Sequence, residues 1–361
     1  MQRSEALARL LRDTGFAEAQ RVPIAGDAST RSYERLILPD RRAILMNAPR
    51  SNESAPCPPG ATPAERRMLG WNATARLAAS RVEAFVAVAQ HLRDIGLAAP
   101  EIYAADVEHG YAVLEDLGDD LFANVLKAGG DEIALYEAAA RVLAHAHQSP
   151  PPHRLAAPNG ETWPILDYDA LALEVNADLF VEWLPRAAPD IRVDDAALAR
   201  WEKVRNGLIV KALGFPRALT IRDYHAENLL WLPEREGLQR VGLLDFQDAV
   251  RGWRGWDLSM LLHDARRDVS PAAHEAALRA YVDATGADRG ELDRELAVLG
   301  ALNTIRIIGR FAQLAHDGKD KYAAFMPREW GHLARTLAHP ALAEARDFIE
   351  SIARPHLERA A

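Results

Sequence analysis

Apolar residues recur along this chain with two different periods, and the change from one to the other divides it. Near the N-terminus, "MQRSEALARLLRDTGFAEAQ" mixes charged and apolar residues at the spacing of an amphipathic helix. "QRVPIA", "SYERLIL" and "RAILMN" then read as short strands separated by turn-rich pieces. The stretch "NAPRSNESAPCPPGATP", rich in Pro, Ser, Gly and Asn, predicts a loop. Val82, Phe85, Val86, Ala89 and Leu92 share one helical face, and the helix they predict stops at Gly96 and Pro100. Two more strands, "EIYAAD" and "GYAVLED", and the turn "LGDDL" close this part.

Beyond it the helical period dominates. "EIALYEAAARVLAHAHQ", "ALALEVNADLFVEWL" and "DDAALARWEKVRNGLIVKALG" are amphipathic helices, and helices continue from "SPAAHEAALRAYVDATG" to the end. The only strands expected here are "LLWL" and "RVGLLD", joined by the turn "PEREG". This order predicts an α+β fold of two lobes. The small, β-rich N-terminal lobe spans residues 1–117, and the larger, mostly helical lobe spans 118–361. No internal repeat is visible.

Composition narrows the function classes. The 361 residues are 49% hydrophobic and 26% charged, as in a folded globular protein. A net charge of −9 argues against nucleic acid or an anionic membrane as the main partner. The single cysteine, Cys57, excludes a disulfide framework and a cysteine-based zinc site. No run of about 20 apolar residues predicts a membrane span. The N-terminal segment lacks the apolar core of a signal peptide. A cytoplasmic protein with no obligate protein partner is expected.

The candidate chemistry lies in two neighbouring stretches, "LTIRDYHAENLLWL" and "RVGLLDFQDAV", each an apolar run that ends on an acidic residue. If the two runs pair as a hairpin, Asp223, Asn228 and Asp245 converge at one end of it. Asn228 and Asp245 offer hard oxygen ligands of the kind Mg²⁺ takes while keeping waters and substrate phosphates. Asp223 is then free to accept the proton of an attacking hydroxyl. That division of labour is the one used in phosphoryl transfer from ATP. The competing reading makes all three ordinary turn and strand-end residues, where Asp and Asn are common.

The spaced set Asp223-x₄-Asn228 followed by Asp245-Phe246 resembles the protein-kinase-like fold in its aminoglycoside phosphotransferase branch. "AGDASTRSYERL", "RDYHAENLLWLP", "GLLDFQDAVRG", "DLSMLLHDARRDV" and "IRIIGRFAQLA…DGKDKYAAFMPREW" more closely resemble the bacterial anomeric sugar kinases that phosphorylate N-acetylmuramate and N-acetylglucosamine in cell-wall recycling. The resemblance implies ATP and Mg²⁺ as cofactors, Asp223 as the catalytic residue, and Asn228 and Asp245 as metal ligands. It places nucleotide phosphates at Gly26, Ser29, Thr30 and Arg31, where backbone N–H groups of a turn can cup them. It also makes "AVLEDLG" the hinge, with the backbone around Glu115 and Leu117 meeting adenine.

One departure matters. The lysine that usually grips the nucleotide phosphates is absent from "RAILMN", and residues 1–117 contain no lysine. Arg31, Arg35 or Arg42 would have to supply the charge, or backbone groups and Mg²⁺ alone would hold the nucleotide. Glu83, the expected partner of such a lysine, then loses that role.

On the acceptor side, Glu174, Asn176 and Trp183 sit on helices that, in relatives, border the pocket, and they are candidates to bind the acceptor. His225 and Glu227 flank the catalytic set. Arg266 or Arg267 is a candidate to meet a carboxylate such as the lactyl group of N-acetylmuramate. Asp257 is expected to brace the catalytic loop, and Trp253 and Trp256 to serve the core rather than stack on a sugar. Two other classes stay open: a same-fold kinase for an aminoglycoside, choline or homoserine, and a nucleotide-binding pseudokinase.

Overall fold

The computed structural model describes residues 3–24, 31–49, 58, 60–69 and 81–360. Gly26, Ser29 and Thr30 lie outside the described residues. Helix α1 (Arg3–Asp13) precedes β1 (Gln20–Ile24), β2 (Ser32–Ile37) and β3 (Arg42–Asn47). Two helices follow, α2 (Pro63–Leu69) and α3 (Val82–Asp94), and then β4 (Ile102–Asp106) and β5 (Tyr111–Glu115). These strands form one antiparallel sheet in the order β1-β2-β3-β5-β4.

The sheet is covered on both faces because its central strands alternate two apolar sets. Ile44, Met46, Ala112 and Leu114 face α3, while Ala43, Leu45, Tyr111 and Val113 face Leu10 and Leu11 of α1 and Phe16. Helix α2 was not expected from its apolar period. It begins with a reciprocal cap: the Thr62 N–H donates to the Glu65 carboxylate at 2.8 Å, and the Glu65 N–H donates to the Thr62 hydroxyl at 3.3 Å. Arg66 and Arg67 of this helix pair with Asp169 and Glu174, tying it to the helical part of the chain.

That part opens with α4 (Phe122–Lys127) and α5 (Glu132–Ala146). It continues through a ribbon of β6 (Arg154–Ala156) and β7 (Thr162–Pro164) to α6 (Ala170–Ala187) and α7 (Asp195–Leu213). Next come β8 (Ala218–Thr220), β9 (Leu229–Trp231), β10 (Val241–Leu243) and β11 (Val250–Gly252). Helices α8 (Arg254–Leu262), α9 (Pro271–Thr285), α10 (Arg289–His316), α11 (Met326–Leu337) and α12 (Ala343–Ala360) complete it.

The expectation of a single hairpin in this region was too small. β9 and β10 pair as predicted, but β6–β7 and β8–β11 are further two-stranded ribbons. Each of the unexpected strands is only three residues long, too short for a period of two to register. Trp253 and Trp256 are fully buried, as the core reading required. Gly309 sets the approach of α10 to α6: a Cβ there would collide with the main chain of Leu179 and Phe180. None of the described helices is long and apolar enough to cross a membrane.

Candidate active site

Two ribbons hold two loops end to end. β8 enters the loop that carries Asp223, and β9 leaves it; β10 enters the loop that carries Asp245, and β11 leaves it. Because β9 pairs with β10 and β8 with β11, both loops are clamped at both ends. The Leu244 N–H donates to the Asn228 carbonyl at 3.0 Å, so Asn228 and Asp245 sit at the same end of the β9–β10 hairpin. The structure thus brings together the three residues that the sequence singled out.

The Asp223 loop is braced from below. Arg222 has φ of 80°, in the left-handed region that side-chain-bearing residues rarely occupy. The buried carboxylate of Asp257 accepts from the Ile221 N–H at 2.6 Å and the Arg222 N–H at 2.9 Å. Asp257 therefore holds the unusual turn that precedes Asp223, as expected of it. Tyr224 anchors the next position, its hydroxyl donating to the Ala139 carbonyl of α5 at 2.9 Å. Asn228 closes the loop by donating from Nδ2 to the Asp223 carbonyl at 2.9 Å. A carbonyl can only accept, so this contact assigns the amide nitrogen and turns Oδ1 the other way.

Asp245 is the second non-glycine residue with positive φ among those described, at 55°. Its Oδ1 accepts from Gln247 at 2.9 Å and from the Arg31 guanidinium at 2.7 Å. Phe246, beside it, is buried against Phe85 of α3 with ring centroids 4.9 Å apart. The Asp245 loop is thereby fastened to the helix that covers the small sheet.

The electrostatics separate the two aspartates. Burial raises the Asp223 carboxyl above its ordinary value; Arg222 opposes that shift and Asp245 adds to it. Burial also works to raise Asp245, but Arg31 and the Gln247 hydrogen bond outweigh it and hold Asp245 low. One carboxylate is made more basic and the other is kept as a firm anion.

Among the described residues, no group of three or more His, Cys, Asp or Glu is arranged to hold a metal ion. An Asp carboxylate and an Asn amide oxygen alone make an incomplete shell. Such a donor set fits Mg²⁺, which keeps waters and takes phosphate oxygens rather than a full protein cage.

Of the three arginines considered for the missing lysine, Arg31 alone reaches this site. Arg35 pairs with Asp116 at 2.8 Å and Asp119 at 2.7 Å, and Arg42 pairs with Asp116 at 3.1 Å. At the expected hinge, the Glu115 side chain pairs with Arg235, and its N–H donates to the Glu101 carbonyl at 2.8 Å. A nucleobase there would meet main chain near Leu117 rather than the Glu115 N–H.

Acceptor-side expectations divide. A cavity beside Asp223 is lined by His225 and Arg266, both anticipated, and by Met260, Arg306 and Arg310, which were not. His225 is buried and held neutral, its imidazole pushed down to about 4 by burial and by Arg266. Glu227 is exposed and pairs with Arg266 at 2.6 Å. The structure does not bring Glu174, Asn176 or Trp183 to this cavity. Glu174 is engaged by Arg67; Asn176 is buried and donates to the Tyr168 hydroxyl at 2.8 Å. Trp183 packs on His316 and Arg186. Arg267 turns away to Tyr136 and Glu132.

The unforeseen arginines had a sequence signal. In "LNTIRIIGRFAQLA" two charges four residues apart interrupt an apolar helix, which places both on one face.

A small antiparallel sheet, a larger helical part, and an Asp/Asn/Asp set where paired ribbons meet define the protein-kinase-like class of fold. The chain belongs to the phosphotransferase enzyme family, whose profile matches residues 20–294. It is 52% identical over 355 residues to the N-acetylmuramate/N-acetylglucosamine kinase of Caulobacter vibrioides, covering 97% of this chain and 96% of that one. The protein of the same name from Pseudomonas aeruginosa is 30% identical, over 92% of this chain and 89% of its own. Among solved structures, a choline/ethanolamine kinase family protein from Mesorhizobium loti superposes with a TM-score of 0.56. It is 15% identical and covers 100% of this chain and 99% of its own, a likeness of fold.

Proposed function

We propose that this protein is an ATP- and Mg²⁺-dependent kinase that phosphorylates the anomeric hydroxyl of N-acetylmuramate and N-acetylglucosamine. The observation that carries the reading is the meeting of Asp223, Asn228 and Asp245 at one end of two clamped ribbons. The name borne by the relative at 52% identity supports the choice of acceptor. Residues 1–117 would bind nucleotide, and residues 118–361 would supply the catalytic loop and the acceptor site. Gly26, Ser29 and Thr30 would offer main chain to the phosphates, with Arg31 adding charge. A cytoplasmic setting, where ATP is at hand, fits this chemistry.

In this reading the Asp223 carboxylate accepts the proton of the sugar's anomeric O–H as that oxygen attacks the γ-phosphorus. The bond from the γ-phosphorus to the bridging oxygen breaks, and ADP leaves. Asn228 and Asp245 would hold Mg²⁺, which neutralises charge on the phosphates when bound. Asp257 keeps the Asp223 loop in its left-handed turn, so the base is positioned before the substrate arrives. The raised Asp223 carboxyl suits proton acceptance better than an ordinary, weaker carboxylate base.

The charge of the cavity bears on the rival acceptors. Arg266, Arg306 and Arg310 face Asp223 and Asp264 there, an arrangement of the wrong sign for a polycationic aminoglycoside or for choline. ATP consumption with Mg²⁺ should therefore be seen with N-acetylmuramate and N-acetylglucosamine, and not with choline or an aminoglycoside. Turnover confined to a cationic acceptor would overturn the reading. ATP binding without turnover of any acceptor would instead favour a pseudokinase.

A further inference from the structure

Buried charges in proteins are ordinarily paired, because moving an ion out of water without an opposite charge is costly. Arg306 departs from that rule. It lies on α10, mostly out of solvent, in the wall of the cavity beside Asp223, which has a volume of about 120 Å³. Among the described residues, no carboxylate forms an ion pair with it. Its Nε and Nη2 donate to the Asn303 amide oxygen at 3.0 and 2.8 Å. Its guanidinium carbon sits 5.5 Å from the centre of the Trp256 ring. These contacts fix the plane of the group without neutralising it, and Nη1 has no hydrogen-bond partner among the described residues.

The other cavity arginines differ. Arg266 is committed to Glu227 at 2.6 Å, and Arg310, one turn along α10, is exposed to solvent and donates only to the neutral Gln313. Neither Arg267 nor the pair "RR" as a whole is disposed to bind an anion, since Arg267 is held by Tyr136 and Glu132. Of the arginines at the acceptor side, Arg306 combines a rigid mounting away from solvent with a charge that no carboxylate among the described residues pairs.

We infer that Arg306 recognises the lactyl carboxylate of N-acetylmuramate and thereby sets the preference for the acidic sugar over neutral N-acetylglucosamine. The inference rests on the sugar-kinase reading. The two sugars share the reacting C1 hydroxyl and the N-acetyl group; the carboxylate-bearing arm on C3 distinguishes them. A cavity that also holds the catalytic carboxylate can host that arm only if a cation screens the two anions from each other. Arg306 stands where it can do both, and the Nη1 of its fixed, planar guanidinium offers a carboxylate directed donors.

The test measures kcat and KM for both sugars, and for N-acetylmuramate methylated on its carboxylate. The proteins compared are the wild type, Arg306→Gln and Arg306→Lys. We expect Arg306→Gln to lower kcat/KM for N-acetylmuramate about 10- to 100-fold more than for N-acetylglucosamine, chiefly through KM. Arg306→Lys should restore part of that loss. Methylation should cost the wild type a similar factor and the Gln variant little. An equal fall for both sugars, with methylation costing all proteins alike, would overturn the inference and make Arg306 a support for Asp223 alone.

Should Arg306→Gln fail to fold, the wild type still decides: indifference to methylation rejects a carboxylate anchor. Failure of the underlying reading looks different, because a wild type that phosphorylates neither sugar removes the kinase assignment itself.

Discussion

The loop around Asp223 and the helical wall that faces it do their work at different ranges along the chain. Asp223, Asn228 and Asp245 lie within 23 residues of one another, on turns clamped by ribbons and by a single brace from Asp257. The facing wall draws Met260, Arg266, Arg306 and Arg310 from two helices and the turn after one of them, and it exists only once α8 and α10 have packed. In the proposed reading, the chemistry is kept local and the recognition is distributed. Local placement makes catalysis tolerant of change elsewhere. Distributed placement would let the acceptor be chosen by residues that do not hold the phosphates.

The largest effect should come from the local side. Asp223→Asn removes the proton acceptor while keeping shape, and kcat should fall by about 10²–10⁴. Circular dichroism should be unchanged and the melting temperature should not fall, since burial raises this carboxyl and its ionised form lends no stability. A variant with normal kcat would detach the chemistry from this loop altogether.

Asp257→Ala separates bracing from chemistry. It leaves Asp223 in place but strips the Ile221 and Arg222 N–H groups of their acceptor, and a buried unsatisfied group costs about 1–3 kcal/mol. We expect kcat to drop about 10- to 100-fold, together with a lower melting temperature. A pure stability loss with kcat intact would mean the loop holds its turn unaided.

Gly309→Ala probes the distributed side. The added methyl must push α10 away from the Leu179–Phe180 main chain, and overpacking of this kind costs about 1–3 kcal/mol. Because Arg306 and Arg310 ride on that helix, KM for the acceptor should rise more than kcat falls. Denaturant melts and steady-state kinetics on the same preparation would separate the two effects.

The smallest effect on turnover should come from Glu329, buried behind the same wall. Neither of its carboxylate oxygens has a hydrogen-bond partner among the described residues, and burial raises the group to about 8, with Asp264 adding to the shift. A raised folded-state value means the folded protein holds this proton more tightly than the unfolded chain does. Its stabilising share is complete below the ordinary glutamate range and is lost as pH climbs toward 8. Glu329→Gln should match the wild type near pH 5 and gain on it upward, by up to about 1 kcal/mol per pH unit. Parallel melting curves from pH 5 to 8 would contradict that.

The same contrast explains what could be read in advance. The five sheet strands and the long helices are regular enough for their periods to appear, and the Asp–Asn–Asp spacing is short enough to survive without a structure. Strands β6, β7, β8 and β11 have three residues each, too short for an alternating period to register, and β8 and β11 are defined by partners far apart along the chain. Helix α2 carried a legible signal in Thr62-x-x-Glu65, but Pro-rich surroundings masked it. Arg266 was foreseen at the cavity, yet its commitment to Glu227 depends on the path of the chain after α8. Arg306 was written as a charge inside an apolar helix; only the packing of α10 shows that it faces Asp223 rather than solvent.

The most direct test of the central claim is ³¹P NMR of the product formed from ATP, Mg²⁺ and N-acetylmuramate. The account predicts a phosphate monoester coupled to the anomeric proton, formed by the wild type and not by Asp223→Asn. A phosphate on any other oxygen of the sugar, or equal product from the variant, would contradict it.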